Sequence, residues 1–272
     1  MCETQNYYRN KFAVVTGAAS GVGLALTETI LSYGAERIVL ADVNEANLAG
    51  EVARLNSAHS GQALGVRCDV TNEEEVKGMI EQAAEFCVGR IDFLFNNAGA
   101  GFAGKFEEQG NGDWGKAFAL NFYGAVYGIR AVLPIMRAQG SGHIVNVISG
   151  IAFYPMAYQT MYSATKAALN GLTLALRYEY WDENIRFTSA TPGTVATAIW
   201  SVGGGDAPKG AQSPQQSART ILSGVSKNER LVLGDDTDAS GVRSCFNPDA
   251  AKYADEYLLN VARKRRKGEW AV

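Results

Sequence analysis

The chain has 272 residues, 47% of them apolar and 19% charged, a balance that suits a packed core and excludes extended disorder. Its formal net charge of −3 gives no general pull towards nucleic acid or an anionic membrane, so neither is expected as a partner. Cys2, Cys68, Cys87 and Cys245 form no CxxC pair, and His59 and His143 stand apart from any carboxylate cluster, so reduced thiols and no metal site are expected.

Met1 to Lys11 is polar and lacks the apolar segment of a secretory signal. No uninterrupted apolar stretch reaches bilayer length, and a cytoplasmic protein is expected. Phe12–Thr16 then reads as a buried strand, followed by a glycine turn and a helix to about Tyr33. Strands are expected at Arg37–Ala41, Ala63–Arg67 and Ile91–Phe95, with helices from Glu45 to Ser57 and from Asn72 towards Phe86 between them. Two long helices follow, from about Trp114 to Arg137 and from Tyr158 to Trp181, each leading into a strand, Ile144–Ile148 and Ile185–Ser189. Arg230–Leu233 is the last strand. Continuous apolar strands alternating with helices predict an α/β fold, a Rossmann-like doubly wound parallel sheet covered on both faces, in a single domain over 1–272.

The remaining segments are read separately. Val202–Gln212 is rich in Gly, Ala and Pro and reads as a loop, within a substrate-loop region placed at 199–226. Ser213 is a predicted N-cap, with Pro214 in the first turn and Gln216 completing a capping box. In the C-terminal extension, 235–272, Asp235–Phe246 reads as irregular and Asn247-Pro248 as the opening of a terminal helix. The basic run Arg263–Lys267 reads as a solvated helix end, favoured by the helix dipole.

Thr16-Gly17-Ala18-Ala19-Ser20-Gly21-Val22-Gly23 joins the first strand to the first helix. In that setting Gly17 permits the sharp exit, Gly21 lets backbone approach a pyrophosphate, and Gly23 lets the helix pack on the sheet. Ser20 and Val22 belong to the same turn, and the helix N-terminus offers N–H donors to phosphate. Asp42 ends the second strand about twenty residues on, where a carboxylate accepts hydrogen bonds from ribose hydroxyls and repels a 2′-phosphate. Neither Ser20 nor the neighbouring Val43 is the cation that a 2′-phosphate would need, so NAD is expected over NADP; the competing role for Asp42 is capping of the next helix.

Tyr162 and Lys166 lie four apart and share a helix face. Ser149 precedes Tyr162 by thirteen residues, at a strand end where open α/β sheets bind ligands, and Asn121 sits in the preceding long helix. This ordered set resembles the short-chain dehydrogenase/reductase family over about Lys11 to Thr197: TGxxxGxG at Thr16–Gly23, Asp69, NNAG at Asn96–Gly99, Asn121, Ser149, YxxxK at Tyr162–Lys166, and Pro192–Thr197.

The resemblance implies an NAD-dependent oxidoreductase acting on an alcohol or ketone. Tyr162 would be general acid or base, and Ser149 would bond the reacting oxygen. Lys166 would hold the nicotinamide ribose and lower the tyrosine's pKa, and Asn121 would help position a relay water. Asp69 and Val70 would contact adenine, and Asn97, Ala98 and Gly99 would line the ribose region. Pro192, Gly193, Val195 and Thr197 would sit at the nicotinamide, with Val195 and Thr197 fixing its carboxamide. A lysine cation about 4 Å from the phenol would lower its pKa of about 10 by about three units at an effective dielectric of about 20.

Substrate contacts are expected from Ser149, Ile151, Phe153, Tyr154 and Tyr162, near Gly101, Phe102, Ala152, Tyr158 and Trp200, which favours an apolar or ring-containing substrate. The glycines of 199–212 permit a lid. The resemblance also implies a homodimer or homotetramer. A noncatalytic NAD-binding sensor or scaffold competes with this reading, as does a related epimerase, dehydratase or enoyl reductase; a sensor would have little need of the Ser149, Tyr162 and Lys166 set.

Overall fold

The apolar runs enter one parallel sheet, in a computed structural model that describes residues 3–59, 61–197 and 207–269. Its strands are β1 (Phe12–Thr16), β2 (Arg37–Asp42), β3 (Ala63–Arg67), β4 (Phe93–Asn96), β5 (Gly142–Val147), β6 (Ile185–Ala190) and β7 (Leu231–Val232). Their spatial order is β3-β2-β1-β4-β5-β6-β7, and every pairing is parallel. The chain winds outward from β1 to β3 and then returns to β4. The reversal opens a crevice at the carboxyl ends of β1 and β4, where such sheets bind ligands.

Helices cover both faces: α1 (Glu3–Tyr8), α2 (Gly21–Ser32), α3 (Glu45–His59), α4 (Glu73–Phe86), α5 (Asn111–Phe118), α6 (Gly124–Gln139), α7 (Thr160–Glu179), α8 (Pro214–Ser226), α9 (Asp236–Cys245) and α10 (Ala251–Arg266). The strand period of two sorts the core. Ala13, Val15, Ile38, Leu40, Phe93 and Phe95 face a layer containing Leu26 and Ile30 of α2 and Ile221 and Leu222 of α8. Val14, Val39 and Leu94 face the opposite layer, with Met79 and Ile80 of α4 and Ile129, Val132 and Met136 of α6. Each fully buried side chain of this size contributes about 1.5–3 kcal/mol.

Several expectations need correction. Residues 3–8 form α1, because Tyr8 is fully buried and donates to the Leu222 carbonyl at 2.8 Å while Tyr7 pairs with His143 Nδ1 at 3.0 Å. The segment read as irregular after Asp235 is α9, capped by the Asp235 carboxylate accepting from the Asp238 N–H. The terminal helix opens at Ala251, not at Asn247-Pro248. The first long helix is interrupted by a π-turn at Ala119–Tyr123, whereas the helix expected after Ser213 is present as α8, opened by the Ser213–Gln216 capping box and packed on α2. The span Asn111–Gln139, interrupted by Asp113, Lys116, Asn121, Arg130 and Arg137, is by length and mean hydropathy enough to cross a bilayer; here it lies over the sheet with Ile129, Val132 and Met136 in the core. Arg265, within the basic run, is buried and not solvated.

Candidate active site

The glycine turn is built by stitching the exits of β1 and β4 together. Thr16 Oγ1 accepts from the N–H groups of Asn97 and Ala98 at 3.0 and 3.1 Å. The Asn97 amide returns hydrogen bonds to the carbonyls of Thr16 and Gly17 at 2.9 and 3.2 Å. Gly17 has a φ of +62°, a conformation that L side chains rarely adopt. A Cβ on Gly23 would stand 2.2 Å from the Gly17 carbonyl oxygen, so only glycine lets α2 start this close to the turn. Ser20 is the N-cap of α2 and its hydroxyl makes no cap hydrogen bond, which leaves the first-turn N–H groups of Gly21, Val22 and Gly23 available to an anion. Thr197 reaches the same place: its Cγ2 lies 3.4 Å from where a Cβ on Gly21 would be.

Asp42 ends β2 with its Oδ2 accepting from Ala19 N–H at 3.0 Å and its Oδ1 from Asn44 N–H at 2.9 Å. It therefore ties the glycine turn to the second strand. The competing role as helix cap falls to Asn44, whose Oδ1 accepts from Asn47 N–H at 3.1 Å. Val43 is exposed beside it, and Val70 is buried against Gly124. Asp69 accepts from the N–H and hydroxyl of Thr71 at 2.9 and 2.8 Å. This cradle, a carboxylate, an uncapped helix start and a close backbone approach, fits a dinucleotide.

The chemical groups converge from three elements. Asn121 lies in the π-turn, where the helix widens to place it inward, a distortion frequent at functional sites. Its amide exchanges hydrogen bonds with both backbone groups of Ala100 at 3.0 Å and donates to Thr165 Oγ1 of α7 at 3.2 Å. A Cβ on Gly99 would lie 2.9 Å from Asn121 Oδ1 and 3.2 Å from Lys166 Nζ, so Gly99, Asn121 and Lys166 meet at one point. Tyr162 and Lys166 share the buried face of α7, and Ser149, just beyond β5, stands near enough to the Tyr162 phenol to favour its charged form.

The electrostatics differ from expectation. Burial pushes the Tyr162 phenol above its ordinary value, opposed by the neighbouring Ser149 hydroxyl and reinforced by the charge of Asp238. The ammonium is 6.0 Å from the ring centroid and donates to the Val147 carbonyl at 2.9 Å. Burial also lowers Lys166 to about 8. The net push of the surrounding groups on the phenol is therefore upward.

The substrate candidates separate. Ile151 is buried beside Ser149, and Phe153 packs edge-on against Phe246 at 6.3 Å between centroids. Tyr154 turns inward and donates its phenol to Asp238 at 2.7 Å. Gly101 is buried and Phe102 half-buried, while Tyr158 sits at a φ of +64°, a strained conformation for an aromatic residue. Ile199 and Trp200, and most of the lid expected at 199–212, lie outside the described residues.

Pro192 and Gly193 lead into a loop in which Val195 bridges Gln212 and Thr194 N–H donates to Asp235 Oδ2 at 2.6 Å. Sequence reasoning missed Asp235, Asp238, Thr16 and Thr165. An Asp three residues before another Asp is an N-cap signal, and it was available at Asp235 and Asp238. Among the described residues, no three His, Cys, Asp or Glu side chains are grouped to hold a metal ion. The arrangement offers one phenol for proton transfer, one hydroxyl for a reacting oxygen and one cation, with the phenol and the cation buried.

A family profile described as short chain dehydrogenase matches residues 11–203. A 2,5-dichloro-2,5-cyclohexadiene-1,4-diol dehydrogenase of Sphingobium indicum is 32% identical over 267 residues, covering 98% of each chain. Among solved structures, a short chain dehydrogenase/reductase from Burkholderia phymatum in complex with NAD is 27% identical with a TM-score of 0.79, covering 95% of this chain and 97% of that one. L-sorbose reductase from Gluconobacter frateurii, complexed with NADPH and L-sorbose, is 30% identical with a TM-score of 0.76, covering 84% of this chain and 95% of that one.

Proposed function

Because this chain belongs to the short-chain dehydrogenase family, an oxidoreductase family, we propose that it interconverts a secondary alcohol and a ketone with NAD, using Tyr162 as the proton-transferring residue. The observation that carries this reading is the buried Tyr162 phenol, with the Ser149 hydroxyl near it and the buried Lys166 on the same helix face. NAD, when bound, supplies the hydride acceptor and a positively charged ring.

In the oxidation direction Tyr162, as phenolate, takes the proton of the substrate hydroxyl onto its phenol oxygen. Ser149 donates to that substrate oxygen and holds it against Tyr162 while charge develops. Lys166 would bond the nicotinamide ribose, and its charge, with that of a bound cofactor ring, would offset the cost of a buried phenolate. Asn121 steadies the Ala100 backbone next to Lys166, where a relay water would pass the proton on. In reduction the same proton travels back, from Tyr162 to the carbonyl oxygen.

The two solved relatives carry NAD and NADPH, so the fold alone leaves the nucleotide open. Asp42 supports NAD, since its carboxylate would repel a 2′-phosphate. The uncapped start of α2 supports the pyrophosphate there; Asp69 and Val70 would meet adenine, and Pro192, Gly193, Val195 and Thr197 the nicotinamide. Ile151 and Phe153 support an apolar or ring-containing substrate, and the relative named for a cyclohexadiene diol is consistent with it. Free Cys68, Cys87 and Cys245 fit a reducing, cytoplasmic setting.

A homodimer or homotetramer is supported by two faces. The outer side of α7 carries an apolar groove of about 450 Å³ bordered by Ile151, Met156, Thr160, Ala164 and Ala167. Phe118, Phe122, Tyr123 and Tyr127 form a run of packed rings along α5 and α6, with Tyr123 exposed. The test of function is an NADH-linked screen over alcohols and ketones of varied size. Tyr162→Phe should keep NAD binding and lose at least about a hundredfold in turnover. Near-normal turnover would refute the mechanism, and tight NAD binding without turnover in the wild type would favour a sensor.

A further inference from the structure

The first turn of α9 reaches into the space between the ends of β5 and β6, the two strands whose following loops carry Ser149 and the Pro192–Val195 segment. Asp238 is 4% exposed there. Its Oδ1 accepts the Tyr154 phenol at 2.7 Å. A Cβ on Gly150 would stand 2.1 Å from Asp238 Oδ1 and 2.4 Å from Tyr154 Oη, so the carboxylate and phenol press against the backbone of the residue next to Ser149. Its Oδ2 is buried without a partner within hydrogen-bonding reach, although the Thr191 hydroxyl and Gly193 N–H are near enough to favour its charge. Asp235 fastens the same turn from the other side, accepting from Asp238 N–H at 2.8 Å and from Thr194 N–H at 2.6 Å.

A buried carboxylate left with half its acceptor capacity unused costs stability unless the site needs it. Asn at this position would accept the same phenol hydrogen bond without the charge. The charge therefore asks for a role beyond accepting the Tyr154 phenol, and the proton-carrying group of the site on which it acts is Tyr162.

Resting on the reading of Tyr162 as acid and base, we propose that Asp238 is a positioning residue for the proton transfer: through Tyr154 and Gly150 it holds the Ser149 turn in place, and its carboxylate acts electrostatically on the Tyr162 phenol. The groups facing this pair are few. Tyr162 meets Ser149 from the β5 loop, Asp238 from α9 and Lys166 on its own helix. Asp238 meets Tyr154 and Asp235, and Tyr257 of α10 faces Tyr154. Burial raises Asp238 above the ordinary aspartate range, and its charge raises Tyr162. Such a charge opposes ionisation of the phenol beside Lys166, so that release of its proton waits on the further positive charge of a bound cofactor ring.

Two measurements decide this. In the pH profile of kcat/KM for alcohol oxidation with saturating NAD, Asp238→Asn should move the acid limb down by at least about half a unit with the NAD Kd unchanged. A limb at the wild-type position would overturn the proposal. Tyr154→Phe, which keeps the charge and removes the anchor, should lower kcat by about threefold to tenfold; unchanged kcat would overturn the anchoring role. If Asp238→Asn does not fold, the wild-type chain suffices. With 13Cζ-tyrosine labelling, the Tyr162 resonance (assigned by its loss in Tyr162→Phe) should shift as Asp238 titrates above the usual aspartate range, because coupling between two titrating groups is mutual. A Tyr162 signal that stays constant between about pH 4 and 7 would overturn the proposal. Full turnover of Tyr162→Phe would instead refute the functional reading, and the resonance shift reads the charge coupling whichever way that falls.

Discussion

Lys166 donates to the carbonyl of Val147 at 2.9 Å, so the cation of the site is anchored on the end of β5. Burial lowers the lysine to about 8, and the unfolded chain, with its lysine near 10.5, binds the proton more tightly. Stability therefore rises with pH between those values, and burial of the charge costs the fold on the order of 3 kcal/mol below pH 8. Lys166→Met should accordingly raise Tm at pH 7 while removing turnover. The gain should shrink when unfolding is measured near pH 10. A variant no more stable than wild type at pH 7 would show that the ammonium is better compensated than its single carbonyl partner indicates.

His143 presents the opposite end of the sheet. It is fully buried on β5 between Tyr7 and Thr188, and burial together with Arg186 and Arg177 lowers it to about 3. The folded chain keeps it neutral, while the unfolded chain protonates it below about pH 6.5. Stability present above that value is lost as pH falls towards 3. His143→Gln should flatten this dependence, so that urea midpoints of the variant and wild type converge as pH is lowered from 7 to about 4. Parallel midpoints would mean that carboxylates alone govern the acid limb.

Asp42 offers a test of nucleotide choice. Asp42→Asn keeps an acceptor for the Ala19 or Asn44 N–H groups and removes the charge. Relative affinity for NADP over NAD should rise by about tenfold or more, read by cofactor titration of the two proteins. An unchanged ratio would place the discrimination elsewhere.

The sheet and the central site were legible because each depends on local pattern. Apolar runs such as Ile38–Leu40 have no polar face to mislead, and a glycine turn between strand and helix has few alternatives. Ser149, Tyr162 and Lys166 could be paired because helix periodicity and strand ends fix where side chains go. What was missed depends on contacts between distant segments. Tyr8 is polar in its own neighbourhood and becomes core only because α8 supplies Leu222 as an acceptor. Asp238 looks like one acid in an acidic stretch, yet burial against Gly150 gives it a place in the site. The direction of the Lys166 ammonium was missed, because spacing gives a shared face and not where the cation's hydrogen bond goes. Val147, nineteen residues before it, takes that hydrogen bond.

Arg265 supplies the last test, because it joins the C-terminal helix to the loop that feeds α7. Its guanidinium donates to the Ala157 carbonyl at 2.9 Å, to Gln159 Oε1 at 2.8 Å and to Met156 Sδ at 3.4 Å. Between those partners Tyr158 holds a φ of +64°, a conformation that persists only when its surroundings enforce it. A planar fork can bind several acceptors at once, and a lysine point charge cannot reproduce that geometry. Arg265→Lys should therefore release the 156–159 loop, raising amide hydrogen exchange there severalfold and lowering turnover while the NAD Kd stays unchanged. Arg266→Lys, at the exposed neighbouring position, should do neither. Equal exchange in the two variants would show that the loop holds Tyr158 in place without the clamp, and that the basic run acts only as the cationic end of α10.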